Sequence, residues 1–139
     1  DDMNGEMHLL AKEEIRSGSI EFLDTRNDIE LLLNEADIGV FPSYKEGLPL
    51  ALLEKMAMEL PVIASDIEEI KPIIENNVNG LLFKLGNVSE LAKKMDMLIK
   101  SPELRLRLGK AARKTVLERY ASDMSLQNEQ FYIMLLEQK

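Results

Sequence analysis

The sequence contains no cysteine, a single histidine and no apolar run approaching the length of a membrane span. Without cysteine there is no disulfide and no thiolate metal site, and the composition suits a reducing compartment, so a cytoplasmic location is expected. Asp1, Asp2 and His8 are too loosely spaced to read as a metal cluster, and no metal is expected. Cations are also in deficit, 17 Lys and Arg against 25 Asp and Glu, for a net charge of −8. A phosphate backbone needs clustered Lys and Arg, so nucleic acid is excluded as a partner. No Gly-x-Gly-x-x-Gly fingerprint occurs, which argues against other dinucleotide-binding α/β proteins. Internal repeats, low-complexity tracts and flexible interdomain linkers are absent as well. What is present, 139 residues with 45% apolar and 30% charged side chains, suffices for one domain with a real core.

The chain is organised around residues 37–65. Ile38 to Phe41 is uninterrupted by charge, as expected for a strand buried on both faces of a parallel sheet. Pro42 stops it, and Ser43 to Glu46 form a loop. Gly47 permits a backbone conformation that other residues resist, and Pro49 suits the first helical turn because its missing N–H is not needed there. The N–H groups of Gly47, Leu48, Leu50 and Ala51 are thereby left without intrahelical partners, and such an end accepts phosphate. A second apolar run, Pro61 to Ala64, reads as the next strand.

Glu54 is the odd residue in this helix. Its neighbours three and four positions away are Leu50, Ala51, Ala57 and Met58, so its carboxylate lies on or beside the apolar face. Burial of an unpaired carboxylate is costly, and something must hydrogen-bond it. A carboxylate only accepts, which matches the two hydroxyls of a ribose or a hexose. Glu46 offers the same chemistry to a second sugar, and a phosphate-binding helix end between two such carboxylates describes a sugar-nucleotide site. Spacing alone leaves open the alternative that Glu54 points to water or caps a backbone group and that Glu46 merely complements the helix dipole.

The segments Asp37-Ile38-Gly39-Val40-Phe41-Pro42-Ser43, Glu46-Gly47 with Glu54 eight positions on, Pro61-Val62-Ile63-Ala64-Ser65 and Asn79-Gly80-Leu81-Leu82 together resemble the C-terminal, donor-binding domain of family 4 retaining glycosyltransferases of GT-B fold. The similarity runs over about residues 5 to 125. It implies that Glu46 contacts the donor sugar, that Glu54 binds the nucleotide ribose, and that the backbone amides of Gly47, Leu48 and Leu50 meet sugar and diphosphate. Two departures stand out. The family usually has Gly where Glu59 stands, so the turn after the helix is expected to be made differently. It often has Gly-Gly where Glu68 and Glu69 stand, which adds negative charge near the cleft.

The rest of the chain reads as alternating helix and strand. Met7 to Arg16 is helical and Gly18 ends it. Ile20 to Leu23 reads as a short strand whose end, Asp24 to Arg26, falls where the resemblance places the nucleobase. Arg26 there either stacks on the base, reaches a phosphate, or is a solvated loop charge. Asn27 or Asp28 caps the next helix, in which Ile29, Leu32 and Leu33 share a face. A short helix is expected between about Ile67 and Asn76, with Ile70, Ile73 and Ile74 apolar and its true start near Lys71 because of Pro72. Asn76 to Gly80 is a loop leading to the strand Leu81 to Phe83. Asn87 with Glu90 resembles a capping box opening a helix to about Lys100, with Leu91, Met95 and Leu98 inward. Ser101-Pro102-Glu103 opens another to about Tyr120. Ser122 or Asp123 caps a last helix carrying Gln127, Phe131, Met134 and Leu135 on one stripe, left exposed where its interdomain partner is missing.

The expected class is therefore α/β, a Rossmann-like parallel sheet with a helical C-terminal third. Sheets of this type run 3-2-1-4-5-6, and the chain is read as holding only strands 3 to 6, a fragment without its first two strands and without the acceptor-binding N-terminal domain. Such a unit would leave a gap in its sheet, bring strand 3 beside strand 4, or swap elements with a second copy into an oligomer. The resemblance implies retaining transfer of a hexose from a nucleotide-diphosphate sugar to a glycan or lipid-linked acceptor, with peripheral membrane association of the full enzyme. It implies no cofactor beyond the UDP- or GDP-hexose donor, and an isolated fragment without activity. The alternative is a non-catalytic nucleotide-sugar or protein-binding module that kept the fold.

Overall fold

A computed structural model of the chain describes residues 9–23 and 25–121. The expectations for Asp1, Asp2, His8, Asp24 and the last helix lie outside them. The elements in order are α1 (Lys12–Arg16), α2 (Ile29–Glu35), β1 (Gly39–Phe41), α3 (Leu50–Ala57), β2 (Val62–Ser65), β3 (Leu81–Phe83), α4 (Val88–Lys100) and α5 (Pro102–Arg119). The three strands form one parallel sheet in the order β1-β2-β3. Gly39 sits opposite Val62, and Ser65 opposite Phe83.

Period-2 alternation sends neighbouring side chains of the central strand into two different cores. Val62 and Ala64 join Phe41, the buried side of α3 (Leu52, Leu53, Met56, Ala57) and Ala112 and Val116 of α5. Ile63 joins Leu81, Phe83, Leu98 of α4 and Leu108 of α5. Helices thus cover both faces, which is why β2 is buried throughout and reads as a continuous apolar run. No described helix is long and apolar enough to cross a membrane.

Several local expectations are corrected. Ile20 to Leu23 is not a strand, so the described sheet comprises three strands and strand 3 of the expected order is not among them. Residues 67–76 form successive turns rather than a helix. Ile70 and Lys71 donate to the Ile67 carbonyl, Ile73 and Ile74 to that of Ile70, and Pro72 cannot continue the ladder. The apolar set nonetheless stays inside, with Ile70, Ile73 and Ile74 all buried. Asn79 organises this segment: its Oδ1 accepts from the Glu75 N–H (2.8 Å), and its Nδ2 donates to the Ile73 carbonyl (2.9 Å) and to Thr115 Oγ1 (3.0 Å).

The helix caps of the last third follow the sequence closely. Asn87 accepts from the Glu90 N–H and Ser101 from the Leu104 N–H, with Pro102 at the first position of α5. The box at Asn87 closes differently from the usual reciprocal form, because the Glu90 carboxylate accepts from the Lys84 N–H at 3.0 Å. Leu98 is buried and Leu91 packs against it, but Met95 is 36% exposed. Asp28 precedes α2 without a side-chain cap bond.

Candidate functional site

The candidate site lies at the carboxyl ends of the strands, where open α/β sheets bind ligands. Between β1 and α3 the chain crosses this end as the loop Pro42 to Pro49. Tyr44 is exposed, Glu46 half-buried, and a side chain placed on Gly47 would meet nothing within 4 Å. Gly47 does not use the left-handed freedom expected of it, since the described positive-φ glycines are Gly18 and Gly86. Its value here is openness. The N–H groups of Gly47 and Leu48 make no hydrogen bond among the described residues. That of Leu50 does, donating to the Leu48 carbonyl at 2.8 Å, so of the three amides that the resemblance assigns to sugar and diphosphate, two are free and one is engaged in a tight turn. Pro49 is the N-cap rather than the first helical residue, and its carbonyl accepts from Leu52 and Leu53.

Glu54 lies on α3, whose residues Leu53 and Met56 are buried, and feels the charge of Glu30 on α2. It is neither buried nor fully exposed, and its carboxylate makes no hydrogen bond or ion pair among the described residues. Burial pushes its pKa up, Lys55 beside it pulls it down, and the nearby Glu30 carboxylate pushes it up again. A half-buried carboxylate with empty acceptor sites and a second carboxylate nearby is poised for a ligand that brings hydroxyl donors.

The C-terminal end of α3 is fixed firmly. The Leu60 N–H donates to the Lys55 carbonyl and the Glu59 N–H to that of Met56, both at 3.1 Å, which is a Schellman closure. Glu59 itself takes the left-handed conformation, φ 60°. The turn expected to be made differently without glycine is therefore made in the glycine manner by a glutamate. The remaining carbonyl, that of Ala57, accepts from Arg113 of α5 at 2.6 Å.

Two other singled-out residues are held in ion pairs of their own. Arg26 is held by Asp28 through Nε at 2.7 Å, and the pair raises the pKa of the arginine and lowers that of the aspartate. Its guanidinium is engaged by that carboxylate. The acidic residue Glu68 is neutralised by Lys71 at 2.6 Å, and the hydrogen bond and charge of Glu68 raise the lysine's pKa. Sequence reasoning passed over three groups near the strand ends. Glu30 lies near Glu54, and the Lys55 stem packs on Gly39. Ser65, at the end of β2, is wholly buried with no partner for its hydroxyl. Half-buried charges on separate helices carry no periodic signal of their meeting, whereas the glycine inside an otherwise apolar strand does mark a close approach.

Comparison with known proteins bears on this geometry. Residues 2–115 match the family described as glycosyl transferases group 1. Over 104 residues the chain is 39% identical to N,N'-diacetylbacillosaminyl-diphospho-undecaprenol alpha-1,3-N-acetylgalactosaminyltransferase of Campylobacter jejuni, covering 75% of this chain and 28% of that protein. It is 39% identical over 66 residues to UDP-Gal:alpha-D-GlcNAc-diphosphoundecaprenol alpha-1,3-galactosyltransferase of Escherichia coli, covering 48% of this chain and 17% of that one. Among solved structures, the C-terminal domain of the group 1 glycosyl transferase LpcC from Francisella tularensis superposes with a TM-score of 0.72 at 30% identity, covering 86% of this chain and 64% of that one. The chain spans under a third of the length of these two curated relatives.

Proposed function

The chain belongs to the glycosyl transferases group 1 family, and from that premise we propose that it is the donor-binding part of an enzyme that moves a hexose from a nucleoside-diphosphate sugar to a glycan or lipid-linked acceptor with retention. Glu54 holds the ribose hydroxyls, Glu46 the hydroxyls of the donor sugar, and the free N–H groups of Gly47 and Leu48 the diphosphate. The loop amides then oppose the charge that develops on the departing phosphate. The observation that carries this reading is the Glu54 carboxylate, half-buried, raised in pKa and unpartnered on the helix that follows the loop. UDP is the favoured nucleotide because the E. coli relative is named for a UDP-linked donor. The acceptor class follows the same relatives, both named for undecaprenol-linked acceptors.

Calorimetric titration of the protein with UDP, GDP and ADP tests this. One nucleotide should bind, and Glu54→Ala should weaken it tenfold or more, roughly 1.4 kcal/mol. If no nucleotide binds, or the variant binds as well as the parent, the donor-site reading fails and a binding module that retained the fold takes its place.

A further inference from the structure

A chain with a net charge of −8 needs a cation where a diphosphate is to sit. Lys55 is placed for that. Its stem lies on Gly39 so closely that a Cβ at that position would stand 3.0 Å from Lys55 Cδ and 3.4 Å from its Cβ. Glycine in β1 is thus what lets the lysine lie along the strand. Its amine donates to the Ala51 carbonyl at 3.2 Å and stands 5.8 Å from the centroid of the Phe41 ring. Ala51 belongs to the first turn of α3 and Phe41 is the last residue of β1, so the charge is delivered to the ligand-binding end of the sheet although its Cα lies deeper.

An ammonium carries three donors, and here one neutral carbonyl takes a single one while no carboxylate forms an ion pair with it among the described residues. Burial lowers its pKa, and the Glu54 charge raises it. The carboxylate assigned to the ribose and this ammonium are neighbours in sequence on the same helix. In a nucleoside diphosphate, ribose and phosphate are likewise adjacent.

Resting on the donor reading above, we propose that Lys55 is a donor-binding residue whose ammonium pairs with a phosphate oxygen of the nucleoside diphosphate while Glu54 holds its ribose. Gly39 and Phe41 position it, the first by leaving room for the stem and the second by offering a ring face to the cation. Phosphate entry completes the lysine's coordination with charge-assisted bonds.

The test is calorimetry with UDP and with uridine, on the parent protein and on Lys55→Met, Lys55→Arg and Lys93→Met. Lys93 is exposed on α4, against the opposite face of the sheet, so its variant reports general charge alone. Lys55→Met should weaken UDP about tenfold or more and leave uridine within about twofold, while Lys55→Arg keeps most of the UDP affinity. Lys93→Met should match the parent. In the parent protein, saturating UDP should also slow acetylation of Lys55, read by mass spectrometry, and uridine should not; this arm stands even where Lys55→Met fails to fold. Equal UDP binding by parent and Lys55→Met, equal losses for UDP and uridine, an equal loss in Lys93→Met, or acetylation indifferent to UDP each overturns the assignment. A parent protein that binds no nucleotide overturns the donor reading itself, and the role of Lys55 with it.

Discussion

A methyl group on Gly109 would overlap the carbonyl oxygen of Glu59. The two residues sit on different elements, α5 and the turn that ends α3, and each fixes the other. Glu59 holds the left-handed conformation that closes α3, and Gly109 lets α5 approach until Arg113 reaches the Ala57 carbonyl and comes within 3.8 Å of the Glu59 carboxylate. The helix bearing Glu54 and Lys55 is thus anchored at its far end by α5.

Gly109→Ala inverts the usual rule for helices. In an exposed helix interior the change would gain about 1 kcal/mol. Here the new methyl meets backbone rather than a yielding side chain, and overpacking of this kind costs on the order of 1–3 kcal/mol. Urea denaturation should give a lower midpoint for the variant at unchanged slope. A midpoint at or above that of the parent would show that α5 can step back freely.

Glu59→Gly should act in the opposite direction. A side-chain-bearing residue in the left-handed region costs about 1–2 kcal/mol relative to a relaxed backbone, and the pair with Arg113 is half-exposed on the glutamate side, so its loss costs less than about 1 kcal/mol. The extra freedom of glycine in the unfolded chain offsets part of the gain. The variant is expected to be equal to the parent or up to about 1 kcal/mol more stable. A clear loss in thermal unfolding would mean that the Arg113 contact, and not the backbone, holds this turn.

Asn79→Asp should be among the more damaging single-atom exchanges in the described chain. The Nδ2 that donates to the Ile73 carbonyl and to Thr115 becomes an oxygen facing the same acceptor in a buried place. Leaving such groups unsatisfied costs about 1–3 kcal/mol, and more when one is charged. The deficit should shrink at acid pH, where a protonated carboxyl can again donate to Ile73. Stability measured at neutral and at acid pH, and found equally close to the parent at both, would remove Asn79 from its organising role.

Most of the architecture was legible because it is local. Ser101 with Pro102 and Asn87 with Glu90 mark helix starts through side chains a few positions apart, and the runs at 38–41 and 61–64 need only to be apolar. The failures share a different origin. Ile20 to Leu23 is apolar enough for a strand, but a strand exists only within a ladder, and the segment joins no sheet among the described residues. The turns around Pro72 keep their three isoleucines inside with only isolated helical-type bonds, Lys71 to Ile67 and Ile74 to Ile70, instead of a continuous ladder, so periodicity alone could not tell the two apart. The left-handed Glu59 is specified by Gly109 on another helix, and the lysine along β1 by Gly39. At the site, the alternation of Glu46 and Glu54 about a helix start was visible, whereas the nearness of Glu30 and the placement of Lys55 depend on how α2 and β1 pack.

Glu54→Gln should stabilise the free protein, and the gain should depend on pH in a definite sense. Burial raises the Glu54 pKa in the folded state above the ordinary value of 4.5. Between these two values the folded protein holds more proton than the unfolded one, so the parent loses stability as pH rises from 4.5 through the raised value. Glutamine carries no such charge. The difference in Tm between variant and parent should be smallest below pH 4.5 and should widen to a plateau at neutral pH. A saturating nucleoside diphosphate should then reverse the order of the two proteins at neutral pH, because the parent gains ligand stabilisation through its ionised carboxylate and the variant gains less. On the donor reading proposed above, the charge that strains the free fold is the charge that ribose hydroxyls would satisfy. A constant difference across the pH range would show that Glu54 is solvated in both states, and with it would go the reason for treating this carboxylate as held in readiness for a ligand.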